Sequence, residues 1–179
     1  DLKNNKVKFI GDPDKRIKED YLRILRFLRF SIQYESFDIN DQIQKAIKLN
    51  LHGITKLSKE RIYSELEKII KLKNFYDLFK NKFLLDIFNL VFPEFIYLDR
   101  LKKLQKLSSS NDIEIDKNVI FASLLLDFSN NHEYFFHKYN IENDTKDHLI
   151  FCAKYFKEIQ TNNNFFKKNL TKNIFIFGK

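Results

Sequence analysis

The chain has 179 residues, is 44% hydrophobic and carries a formal net charge of +8 at pH 7. That length allows one large domain or two small ones, and the apolar content suffices for a sizeable core. Only three Gly and two Pro argue against a sheet-rich fold with many tight hairpins. An all-α fold of seven to nine helices is expected, with at most a short strand stub at the N-terminus.

The basic excess favours an anionic partner, nucleic acid or a membrane surface, although a Lys- and Asn-rich genome produces the same excess. The single Cys152 excludes an internal disulfide and allows a reducing compartment, so a cytoplasmic protein is expected. No apolar run approaches the roughly 20 residues needed to cross a bilayer, so no membrane association is expected. Asp1-Leu2-Lys3 and Gly178-Lys179 both read as internal cuts in a longer protein.

In chain order, residues 6–10 alternate briefly and suit one short strand. Asp12 before Pro13 starts a helix, and Asp20 gives a second start signal, leaving one bent helix or two. Residues 21–34 are helical in period, 38–50 form an amphipathic helix, and Ser58 is a natural N-cap for a third. Residues 74–90 read as a Phe- and Leu-rich helix closed by Pro93, with another from Glu94 to Leu107. The Ser108-Ser109-Ser110-Asn111-Asp112 run reads as the clearest loop, followed by helices near 117–128, 130–139 and 144–160.

The chemically informative stretch is GDPDKRIKEDYLRILRFLRF, residues 11–30. Asp20, Arg23, Arg26 and Arg29 recur every third residue, a slanted stripe along one side of a helix. All other positions from Tyr21 to Phe30 are apolar or aromatic, so this stripe is the helix's only polar side. Like charges at this spacing repel, which implies an anion or an acidic partner between them. Arg offers a planar fork suited to phosphates and base edges.

Asp20 and Arg23 lie one turn apart. Cytosine and adenine each present an exocyclic amine beside a ring-nitrogen acceptor on the Watson–Crick edge. A carboxylate can accept from the amine while a guanidinium donates to the ring nitrogen. Guanine and uracil put a carbonyl in the amine's place, which a carboxylate repels. The same spacing also serves a plain helix salt bridge.

The run from Val7 to Phe30 closely resembles the hinge and neck of class II tRNA nucleotidyltransferases and the related bacterial poly(A) polymerases. Gly11-Asp12-Pro13 and Arg16-Ile17 lead into Glu19-Asp20-x-x-Arg23-Ile24-Leu25-Arg26-x-x-Arg29-Phe30, and Ser58 to Ile69 resembles the family's last neck motif. The resemblance implies that Asp20 and Arg23 read incoming CTP or ATP and that Arg26 and Arg29 also bind nucleotide. It gives Glu19 a supporting role, puts Asp12 and Arg16 in the hinge motif, and makes the second motif a brace for the neck helices. Tyr21 departs from the pattern, which has Pro there.

The resemblance further implies a parent that adds C, C and A to tRNA 3′ ends with Mg²⁺ held by a head domain preceding the hinge. The chain alone is then expected to be inactive. Residues 1–12 would end the head and form the hinge, 13–107 the neck, and 108–179 the body and the start of a tail. A poly(A) polymerase, a CC- or A-adding member, and a non-catalytic helical RNA-binding module are the alternatives. No metal is assigned to the chain: His52, His132, His137 and His148 are scattered, and Asp112, Glu114 and Asp116 read as solvated turn residues. The lysines of the second half, Lys102, Lys103, Lys106, Lys154, Lys157, Lys167 and Lys168, suit tRNA phosphates collectively, with none singled out.

Overall fold

Asp12 and Pro13 start the first helix of the computed structural model, which describes residues 6–111, 114–127, 129–162 and 164. The Asp12 carboxylate accepts from the Lys15 N–H at 2.9 Å, and Pro13 takes the first helical position, where no N–H is required. α1 covers Pro13–Glu19 and α2 Leu22–Gln33, so this segment makes two helices rather than one bent helix. Residues 6–9 form no strand. They run irregularly beside the end of α2, with the Val7 N–H donating to Ser36 Oγ at 2.9 Å.

α2 ends without glycine. Glu35 takes the left-handed conformation at φ 51°, and the Ser36 and Glu35 N–H groups bond back to Ser31 and Ile32 carbonyls at 2.8 and 3.1 Å. α3 (Asp41–Asn50) is capped by Asn40 and runs into a 3₁₀ turn at Leu51–Lys56. Within that turn, a Cβ on Gly53 would lie 2.1 Å from the Tyr21 ring, so only glycine lets the ring settle there. α4 (Lys59–Ile70) starts at Ser58, as expected.

The second half departs from the sequence reading in three places. The helix expected over 74–90 is a 3₁₀ segment, Phe75–Lys80, followed by α5, Lys82–Val91. Asn81 divides them: its side chain caps the Leu84 N–H at 3.0 Å and donates to the Phe37 carbonyl at 2.8 Å. Instead of entering a helix at Glu94, the chain turns through residues 93–98 because Glu94 and Phe95 are drawn into the interior; α6 begins at Asp99. α6 (Asp99–Asn111) then continues through the serines expected to form a loop. Ser110 Oγ bonds back to the Leu107 carbonyl at 3.3 Å, the local satisfaction that lets serine persist in a helix. Asp112 lies outside the described residues.

α7 (Lys117–Leu125), α8 (Asn131–Tyr139) and α9 (Asn143–Thr161) follow close to their expected limits. The described residues are all-α. α1 packs on α3 and α2 on α4, while α7 contacts α6 and α9, and α8 bridges α4 and α9. One buried cluster extends from Ile17 to Leu149. Its centre is aromatic: Phe88 lies 5.1 Å from Phe92, and Phe121 lies 5.3 Å from Phe135, ring centre to ring centre. Such contacts account for much of the phenylalanine in the sequence.

Candidate functional site

The stripe on α2 exists because the other sides of the helix are buried. Leu22, Ile24, Leu25, Phe27, Leu28 and Ile32 are all at most 4% exposed, which leaves Arg23, Arg26 and Arg29 along the outer edge. α4 packs beside it and brings the second motif against the first.

Asp20 is the residue at which α1 stops and α2 starts. Its backbone is extended, its carbonyl accepts from Arg23 N at 3.1 Å, and its Oδ1 accepts from Leu22 N at 3.1 Å. Those are the two bonds of an N-cap, as the sequence predicts, although the regular helix begins two residues later. The same carboxylate meets Arg61 of α4, whose Nη2 lies 2.9 Å from Oδ1 and 3.0 Å from Oδ2.

Arg23 turns the other way. Its Nη1 donates to Glu19 Oε2 at 2.7 Å and to the Arg16 carbonyl at 2.8 Å, in the last turn of α1 where a cation also suits the helix dipole. Arg16 Nη1 reaches the same Glu19 oxygen at 2.7 Å. Hydrogen bonds from Arg23 and Arg16 hold the Glu19 carboxyl below its usual range despite an opposing desolvation effect. Asp20 and Arg23 are therefore not a local helix salt bridge. Each is paired with a different partner.

Further along, Glu65 of α4 is 2% exposed and lies between Arg26 and Arg29, whose Nε atoms stand 3.7 and 3.0 Å from its two oxygens. Lys68 adds a contact at 2.9 Å. Burial pushes the Glu65 carboxyl up, but hydrogen bonds from Lys68 and Arg29, together with their charges, win and hold it below the ordinary carboxylate range. The like charges on α2 thus have an acidic partner within the chain.

Across this face, six basic groups (Arg16, Arg23, Arg26, Arg29, Arg61 and Lys68) meet three carboxylates, Glu19, Asp20 and Glu65. The balance favours a further anion. Arg61 and Glu65 escape the sequence reading, which treats their motif only as a brace. Their spacing of four on one helix, with Glu65 able to reach two of the arginines, was the available signal. Tyr21 leans on Gly53, with its ring centre 6.2 Å from that of His52 and Lys56 Nζ 5.7 Å above it.

These carboxylates do not fit a metal, since each is committed to guanidinium or ammonium donors. Among the described residues no three His, Cys, Asp or Glu side chains converge as ligands. Glu114 is exposed, and Asp116 caps α7 by accepting from Asn118 N at 2.7 Å. The resemblance assigns Mg²⁺ to a separate head.

On α6, Lys102, Lys103 and Lys106 are exposed, with Lys102 paired to Asp99 at 3.2 Å. Lys154 on α9 is exposed and stands 5.4 Å from the centre of the Tyr155 ring. Lys167, Lys168 and the Lys157 side chain lie outside the described residues. No described helix is long and apolar enough to cross a membrane.

Comparison with known proteins finds relatives of this chain. Residues 36–98 match a family described as "Probable RNA and SrmB- binding site of polymerase A". The chain is 47% identical over 72 residues to the human protein named CCA tRNA nucleotidyltransferase 1, mitochondrial, covering 39% of this chain and 17% of that protein. It is 42% identical over 98 residues to the CCA-adding enzyme of Staphylococcus haemolyticus, covering 55% and 24% of the two chains. Against the CCA-adding enzyme of Staphylococcus aureus it is 30% identical over 129 residues, covering 72% and 31%. The chain thus spans less than a third of the length of these relatives.

Proposed function

This chain belongs to the family of CCA-adding enzymes and poly(A) polymerases, and from that premise we propose that the α2 face reads the base of an incoming nucleotide during CCA addition to tRNA. The single observation that carries the proposal is the separate setting of Asp20 and Arg23 at the start of α2. Asp20, 24% exposed, is oriented by the Leu22 N–H, and Arg23, 27% exposed, is held by Glu19 and the Arg16 carbonyl, both above buried apolar residues.

In this reading Asp20 accepts from the exocyclic amine of cytosine or adenine, and Arg23 donates to the adjacent ring nitrogen. Glu19 and the Arg16 carbonyl fix the plane of the Arg23 guanidinium, so its orientation does not have to be organised when the base arrives. Arg26 and Arg29 contribute positive charge toward the triphosphate, while Glu65 sets their position. Asp12, as the cap of α1, anchors the start of the hinge motif. CTP and ATP are the proposed substrates, Mg²⁺ the ion of the separate head, tRNA the polymer partner and the cytoplasm the setting. The neck is proposed to span 13–107 and the body to begin near 108.

Incorporation of all four nucleotides by the full-length protein tests this reading. Asp20→Ala and Arg23→Ala are expected to lose preference for C and A over G and U. Retention of normal C and A selectivity by both variants would refute base reading. Binding that is indifferent to the base and falls steeply with salt would favour the RNA-binding module instead. The match to a polymerase A segment also supports a poly(A) polymerase. Addition of long A tails without C would select that reading.

A further inference from the structure

We propose that Arg61 is an internal competitor for the reading carboxylate: it occupies Asp20 in the empty protein, and an incoming base must displace it. This inference rests on the base-reading role of Asp20. It goes beyond the bracing role expected for the motif that contains Arg61.

Both oxygens of Asp20 are engaged before any ligand arrives. Oδ1 takes the Leu22 N–H at 3.1 Å and Arg61 Nη2 at 2.9 Å, while Oδ2 takes Arg61 Nη2 at 3.0 Å. An exocyclic amine would present the same kind of donor, N–H, to the same carboxylate. Base and guanidinium therefore compete directly.

The two bonds differ in what can be given up. The bond to Leu22 N belongs to the helix cap and persists in either state. The Arg61 side chain is 47% exposed, and leaving Asp20 returns it to water. Asp20 therefore keeps its orientation when Arg61 departs, and Oδ2 is the oxygen released to the base. The closed pair lowers the fraction of protein competent to bind, and apparent affinity falls by that fraction. It does so equally for cytosine and adenine, the two bases that use this carboxylate, so the competitor sets affinity without favouring one of them over the other.

Arg61→Met removes the donors while keeping a good helix former. In the full-length protein this variant is expected to lower KM for both CTP and ATP about two- to fivefold, the range a half-exposed ion pair supports. Its kcat and its relative use of CTP and ATP should stay unchanged. Arg61→Lys, which keeps a cation able to pair with Asp20, should stay near the parent KM. A KM for Arg61→Met that is unchanged or raised, or a fall in kcat, overturns the proposal and leaves Arg61 a brace. Thermal melting of the same variant identifies a change due to lost folding, in which case Arg61→Leu, another donor-free helix former, is read by the same criteria. The premise is tested separately by Asp20→Ala: retained selectivity there defeats base reading itself, whatever Arg61 does.

Discussion

Glu65 is the residue on which the two motifs depend most heavily. Arg26 and Lys68 are about half exposed, so their pairs with it are screened and contribute little. Arg29 is only 18% exposed and stands at 3.0 Å, so removing the charge beneath it leaves a poorly solvated guanidinium. Glu65→Gln is therefore expected to destabilise the chain by about 1–3 kcal/mol, read by urea unfolding. The sign of the pH effect follows from the lowered carboxyl. The folded state binds fewer protons at this site than the unfolded chain, whose carboxyl titrates near about 4.3. The contribution is complete above that value and is lost as pH falls through the lower folded value. Melting of Glu65→Gln should depend less on pH in that acid window than melting of the parent. An equally steep dependence would assign acid sensitivity to other carboxylates.

At the level of elements, cap chemistry was legible at two helix starts. Asp12-Pro13 and Ser58 both stand at or beside helix starts, and the helices after Asp116 lie close to their expected positions. Two of the misses share a physical cause, since tertiary contacts overrode the local pattern. Asn81 stops one helix and starts the next because its amide reaches across to Phe37. The 93–98 turn exists because Glu94, buried at 4% exposure, pairs with Lys138 at 2.8 Å on a helix more than forty residues away. The end of α2 lies within one residue of its expected limit although no glycine marks it, and Glu35 adopts the conformation usually given to glycine. Glu35→Gly is expected to stabilise the chain by about 0.5–1 kcal/mol in chemical denaturation, since the left-handed strain of a side-chain-bearing residue is relieved. Destabilisation would mean that Glu35 makes contacts worth more than its backbone strain.

For the whole molecule, the site was half legible. The stripe could be read from the period of α2, because burial of the remaining positions forces the arginines outward. Its partners could not, because Arg61 and Glu65 reach Asp20 and Arg29 across 41 and 36 residues of sequence, and only the packing of α4 on α2 brings them together. The resulting face is a closed ion-pair network carrying an excess of positive charge. Substitution of Asp20, the proposed reading carboxylate, by its amide tests the proposal most directly. Asp20→Asn keeps the shape and the helix cap but offers an N–H where the parent has only acceptors. In four-nucleotide incorporation by the full-length protein, the variant is predicted to accept UTP or GTP, whose carbonyl the carboxylate repels. Continued use of CTP and ATP alone, at the parent's ratio to UTP and GTP, would contradict the account.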